Sequence, residues 1–188
     1  TGSKATSLLN ARNTLTQRTF GPACSGAIRM DISNMKDGDV AGLGSLSYNY
    51  GYIAVKKEAN ATKLIMVDAS GNSAAKEDKP TIKESVDCTG NIVYLKEDFN
   101  YAGNADGTDK DTVAFYYSFD GKTWKKLGST MRMSYELTHF MGSKFAIFNY
   151  TTDKSGGYVD VDYFRVSDQI TGTNQPAAAL NATMTATK

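Results

Sequence analysis

Apolar residues along the chain fall in short runs separated by turn residues: 27–32, 40–46, 50–55, 64–67, 92–95, 113–117, 145–150 and 158–166. Their spacing of roughly 10 to 20 residues is that of β-sandwich strands rather than of strand–helix–strand units. No segment sustains the i, i+3, i+4, i+7 pattern of an amphipathic helix over three turns. In Val159-Asp160-Val161-Asp162-Tyr163 strict alternation predicts that the valines and Tyr163 point one way and the two aspartates the other. The predicted fold class is all-β, a sandwich of two sheets.

Turn chemistry predicts two hairpins. Lys36-Asp37-Gly38-Asp39 separates the runs 28–32 and 40–46, with Gly38 suited to a positive φ, and Asp120-Gly121-Lys122 separates 114–117 from 124–127. The stretch Ser118-Phe119-Asp120-Gly121-Lys122-Thr123-Trp124 is similar to an Asp-box turn one residue short, in which Asp and Thr satisfy loop amides and Trp plugs the hairpin base. After Asp168 the composition shifts to Thr, Ala, Asn and Gln, which reads as linker. Leu180-Asn181-Ala182-Thr183-Met184-Thr185-Ala186 nevertheless alternates, so 169–188 reads either as linker or as an added edge strand beside a sandwich over 1–168.

The 188 residues correspond to one domain with a short remainder. A chain of this size buries about 70% of its unfolded surface and needs neither disulfide nor metal to hold a core. Twenty-one Lys and Arg against 20 Asp and Glu leave a net charge of +1. That balance argues against nucleic acid and against a polybasic membrane anchor. No apolar stretch approaches the ~20 residues that cross a bilayer. The chain opens on Thr1 without a leader pattern, which reads as a mature or excised segment. His139 is the only histidine, which removes His-cluster metal sites and leaves a Ser-His-Asp triad only through that residue. Cys24 and Cys88 are the only cysteines; they read as a disulfide or, more in keeping with an adequate core, as buried thiols. Neither a phosphate-binding G-x-x-x-x-G-K-[ST] loop nor a G-x-S-x-G elbow is present.

Several segments are distinctive in order: Ala11-Arg12-Asn13-Thr14-Leu15-Thr16-Gln17-Arg18-Thr19-Phe20-Gly21-Pro22, Asn34-Met35-Lys36-Asp37-Gly38-Asp39-Val40-Ala41-Gly42-Leu43, Tyr50-Gly51-Tyr52-Ile53-Ala54-Val55-Lys56-Lys57-Glu58, the Asp120 turn, His139-Phe140-Met141-Gly142, and Gly156-Gly157-Tyr158-Val159 running on to Val166. Together they resemble the C-terminal β-sandwich of glycoside hydrolase family 43 β-xylosidases, from about Leu9 to Ser167. The resemblance implies a concanavalin A-like jelly roll that sits against a five-bladed catalytic β-propeller and is counted among xylan-binding modules. The family's catalytic carboxylates belong to the propeller, which this chain does not contain. The family's sandwich opens with strands ahead of the Ala11-Arg12-Asn13 motif, so the chain reads as lacking those first strands. The resemblance also implies a secreted, extracellular enzyme, with a cytoplasmic location as the alternative.

Candidate site residues follow from both sources. Tyr48, Tyr50 and Tyr52 share one face of a strand, and such rings pack against the C–H face of a pyranose while polar neighbours bond its hydroxyls. The competing reading is that two of the three are core or edge aromatics. Asp160 and Asp162 would accept sugar hydroxyls on a concave inner face and would merely be solvated on an outer one. As an acid–base pair they lack any cleft motif, so no catalytic residue is assigned. Arg18 grips a hydroxyl or carboxylate, or pairs within the fold. His139 reads as a loop-packing residue, and the resemblance makes His139 and Phe140 the loop that reaches the propeller. Asp106, Asp109 and Asp111, with Asn104, are hard oxygen donors suited to Ca²⁺ without the EF-hand spacing, or a solvated loop. The resemblance places a structural calcium nearer Asp162 or Asp168. No cofactor is required, and calcium is the one candidate. The expected function is a non-catalytic module binding xylan or xylo-oligosaccharide, the alternative being an accessory domain that packs on the propeller and shapes its active-site mouth.

Overall fold

The computed structural model describes residues 2–72, 76–134 and 141–174. Nearly all of the regular structure is β: β1 (Ser3–Lys4), β2 (Thr14–Arg18), β3 (Ala23–Asp31), β4 (Asp39–Leu46), β5 (Tyr50–Glu58), β6 (Ala61–Ala69), β7 (Thr81–Asp87), β8 (Ile92–Asn100), β9 (Thr112–Ser118), β10 (Lys125–Lys126), β11 (Met131–Arg132), β12 (Lys144–Thr151) and β13 (Asp160–Ser167), with a 3-10 turn at Leu8–Asn10. A seven-stranded sheet runs β1-β12-β4-β5-β6-β7, with β2 also on β12; a six-stranded sheet runs β10-β9-β8-β3-β13, with β11 also on β9. All pairings are antiparallel except β1 with β12. The all-β sandwich expected from the sequence is the fold observed.

The two sheets close on one apolar core. Ile28, Met30, Leu95, Phe99 and Phe115 project from the six-stranded sheet onto Leu43, Ile53, Leu64, Met66 and Phe145 of the other, all buried. The seven-stranded sheet carries a second, smaller cluster on its opposite face, where Ala5 and Leu8 cover Tyr50, Tyr52, Ile65, Val67, Phe148 and Tyr150. Burial on both faces explains why 50–55 and 64–67 read as continuous apolar runs rather than as alternation. Gly44 makes this possible locally, because a Cβ there would meet Leu8 at 3.3 Å and the Tyr52 Cβ at 3.0 Å.

Two local expectations change. The Gly38 turn has its positive φ of 88°, but it joins strands of different sheets: β3 pairs with β8 and β13, and β4 with β5 and β12. It is an arch and not a hairpin, held by Gly38 N–H donating to the Lys57 carbonyl at 2.9 Å and Thr152 N–H to the Gly38 carbonyl at 2.9 Å. In β13 the register slips between Val161 and Tyr163. The bulge leaves Val161, Phe164 and Val166 packed on the core and turns Tyr163 outward, where the Arg165 guanidinium lies 4.0 Å from its ring centre. The Asp120 hairpin forms as expected, with Lys125 opposite Tyr117 and Lys126 opposite Tyr116. Asp120 accepts the N–H groups of Lys122 and Thr123 at 2.8 and 2.7 Å, and Trp124 is buried. Those bonds hold the Asp120 carboxyl well below the usual carboxylate range.

Candidate functional site

The three tyrosines separate by depth. Tyr50 and Tyr52 lie on one face, as their spacing predicts, but they form the interior of the second cluster and are 0% and 3% exposed. Their rings stack at 6.2 Å between centres, and Phe148 meets Tyr52 edge-on at 5.0 Å. The Tyr50 hydroxyl donates to Asp78 at 2.9 Å; Asp78 also accepts from Ser7 and, at 3.2 Å, from Asn72. The Tyr52 and Tyr150 hydroxyls bond each other at 3.2 Å. Burial pushes both phenols far above their ordinary range. With their faces covered by protein, these two rings are a floor and not a stacking surface.

Tyr48 stands where β4 gives way to β5 and stays half-exposed. It borders an apolar trough of about 200 Å³ with Leu8, Leu9, Leu46 and Met141. Met141 is shared with a second hollow of about 340 Å³, lined by Arg18, Thr19, Gly142, Ser143 and Lys144. The two hollows adjoin because Lys144 is paired with both Arg18 and Leu46 across β12. Thr19 fixes the rim: its hydroxyl donates to the Ser143 carbonyl at 2.6 Å and bonds the Tyr101 hydroxyl at 2.6 Å. Burial pushes the Tyr101 phenol up to about 12. Among the described residues the outcome is a groove with one aromatic ring, an apolar floor, two cations and several hydroxyl or peptide groups. That combination suits a polar ligand with apolar faces.

Other candidates lie elsewhere. Asp160 and Asp162 are exposed on the outer face of the six-stranded sheet. Asp162 is ion-paired with Arg29, whose guanidinium lies 5.9 Å from the Tyr94 ring centre. They therefore belong to a different surface from Tyr48 and Arg18. Asp106 and Asp109 are exposed, Asp111 is half-buried, and the three do not converge. Asp106 accepts from the Thr108 N–H and hydroxyl at 2.9 and 2.6 Å, and Asp109 accepts from Asn104 at 3.1 Å. Among the described residues no group of three or more His, Cys, Asp or Glu side chains is placed to hold a metal ion. Asp106 and Asp109 are thus engaged by bonds within their own loop, the arrangement of the solvated-loop alternative. Cys24 and Cys88 are free thiols, Cys24 within the core. His139 and Phe140 lie outside the described residues, as do residues 175–188 of the Thr/Ala-rich segment.

The described start of that segment is bound to the sheet. Lys96 Nζ donates to the Thr171 hydroxyl at 2.7 Å and the Gly172 carbonyl at 2.6 Å, and Gly172 N–H donates to Asp98 at 2.7 Å. Lys96 and Asp98 are buried beneath it. Lys144 and the Lys96–Asp98 clasp escaped sequence reading because their significance depends on which strand lies opposite. Met141 and Gly142 fall within a motif that sequence reading did single out.

This chain is similar to several known proteins. Residues 1–167 match the family of beta xylosidase C-terminal concanavalin A-like domains. A beta-xylosidase of Formosa agariphila is 26% identical over 157 residues, covering 82% of this chain and 23% of that protein. A bifunctional GH43-CE protein of Bacteroides eggerthii superposes with a TM-score of 0.80 at 40% identity, over 91% of this chain and 21% of that one. An engineered GH43 glycoside hydrolase with both endo-xylanase and exo-arabinofuranosidase activity superposes with a TM-score of 0.79 at 32% identity, over 89% of this chain and 33% of that one. The chain thus spans about a quarter of the curated relative and a fifth to a third of the two solved structures. A match over nearly the whole sandwich, with the same two-sheet fold, leads to one conclusion: the chain belongs to the C-terminal concanavalin A-like domain family of glycoside hydrolase family 43 β-xylosidases.

Proposed function

We propose that the chain is a non-catalytic carbohydrate-binding module of a family 43 xylosidase or arabinofuranosidase, and that the groove on the outer face of its seven-stranded sheet takes xylan or xylo-oligosaccharide. The observation that carries this reading is the convergence of Tyr48, Met141 and Arg18 on one groove. A half-exposed tyrosine beside aliphatic side chains offers a platform for the C–H face of a xylose ring, and the neighbouring Thr19 and Ser143 region offers hydroxyl partners. Calorimetric titration of the chain with xylohexaose tests it. Binding in the micromolar to low millimolar range is expected, and Tyr48→Ala should weaken it about tenfold, as loss of one stacked ring implies. Absence of binding at millimolar sugar overturns it.

A second reading rests on a different observation. Leu15 of β2 is 74% exposed, and with Ile147, Phe145 and Phe164 it lines an apolar cleft of about 240 Å³ between the open edges of the two sheets. Under this reading that edge packs on a catalytic β-propeller in the whole enzyme, and the domain shapes the active-site mouth without holding sugar itself. Amide exchange across β2 separates the readings: protection that rises only in the whole enzyme favours the accessory role.

A further inference from the structure

At one end of the groove two cations stand side by side with no counter-ion among the described residues. Arg18 is the last residue of β2 and Lys144 the first of β12, and the antiparallel register sets them directly opposite each other. Cross-strand partners on one face have Cβ atoms about 5 Å apart, a position in which like charges repel. Neither side chain takes part in a salt bridge among the described residues. The contact recorded for Lys144 Nζ is the Met141 sulfur at 3.6 Å. Both side chains border the 340 Å³ hollow, whose rim is tied down by the Thr19 bonds to Ser143 and Tyr101. The fold thus holds an unfavourable charge pair at a concave, hydrogen-bonding surface, next to the trough that carries Tyr48.

We infer that Arg18 and Lys144 form a carboxylate subsite that takes the uronic-acid branch of an acidic xylan chain, while neutral backbone sugars lie along the Tyr48 trough. This rests on the sugar-binding reading above. The Arg18 guanidinium supplies a planar fork that matches both oxygens of a carboxylate, and Lys144 supplies a second, compact charge. An acidic protein surface is the other ligand with this charge. The sugar is favoured because the cations adjoin an apolar trough that carries the Tyr48 ring, whereas Leu15, the exposed apolar residue of the same strand, lies three positions from Arg18 and so on the opposite face.

The test titrates the chain with an unbranched xylo-oligosaccharide and with one of the same backbone length bearing a glucuronic acid branch, at low salt and at about 0.5 M salt. The branched sugar should bind about tenfold more tightly at low salt, and this ratio should shrink at high salt. In the Arg18→Gln/Lys144→Gln double variant the ratio should fall to about one, with circular dichroism unchanged. Equal affinity for the two sugars, or a ratio that survives in the double variant, overturns the inference and leaves the sugar-binding reading standing. Failure of both sugars to bind overturns the inference and the sugar-binding reading together. Binding of an acidic peptide that needs Arg18 and Lys144, with no preference for the branched sugar, overturns the inference and assigns the pair to a protein interface.

Discussion

The carboxyl group of Glu97 on β8 points through the sandwich interior at the backbone N–H of Ser45 on β4. Among the described residues neither Glu97 oxygen completes a hydrogen bond, nor does the Ser45 hydroxyl. Glu97 is fully buried. An ionised carboxylate in such a place is costly, so burial, with the neighbouring Asp98 charge adding to it, pushes the Glu97 carboxyl well above its ordinary range.

A pH dependence follows. In the unfolded chain Glu97 loses its proton near pH 4.3, whereas in the fold it keeps it to higher pH. The folded state therefore binds more protons over that interval, and stability falls as pH rises through it. Asp98, also raised by burial, acts in the same direction. Glu97→Gln should flatten the decline and be at least as stable as the parent at about pH 8. Urea unfolding between about pH 5 and about pH 9 measures this, and an unchanged slope would count against the assignment.

Lys96 is expected to matter far more than a surface lysine. Besides its bonds to Thr171 and Gly172, its Nζ lies 4.9 Å from the ring centres of both Tyr116 and Trp124 and 4.0 Å from Asp98. Lys96→Ala should cost about 3 kcal/mol, because it leaves Asp98 buried without its cation. The Lys96→Met/Asp98→Asn double variant should cost less than Lys96→Ala alone. Denaturant midpoints of the three proteins decide the matter.

Tyr50 and Tyr48 should separate stability from binding. Tyr50→Phe removes the hydroxyl held by Asp78 and should cost about 1–2 kcal/mol of stability while leaving sugar affinity as it was. Tyr48→Ala should do the reverse. A Tyr50→Phe protein that loses affinity but not stability would show that the ring reaches the ligand.

Gly42 should be intolerant of any side chain. A Cβ at that position would lie 2.2 Å from the Ile53 carbonyl oxygen and 2.6 Å from the Ala54 Cα, both backbone atoms of the paired strand β5. Gly42→Ala should therefore destabilise by about 3 kcal/mol or more, read as a fall in thermal midpoint.

The one-dimensional pattern of this chain determined its fold class and its long core strands, but not β1, β2, β7 or β11. Apolar runs bounded by glycine and aspartate turns are a local property, and so is the Asp120 hairpin, whose bonds join residues two or three apart. Strand β7 was not legible, because an edge strand with both faces largely exposed carries no apolar pattern. Tertiary structure alone decided the rest. The Gly38 turn is equally good as a hairpin or an arch, and only the partners of β3 and β4 choose between them. The tyrosine face of β5 was correct in direction, but whether a face is open or covered depends on a distant segment, here Leu8 and Asp78. Arg18 and Lys144 are 126 positions apart in the chain and become neighbours only through the β2–β12 register. Side-chain period and turn chemistry act over a few residues, whereas burial and charge proximity are set by pairing between strands far apart in the chain.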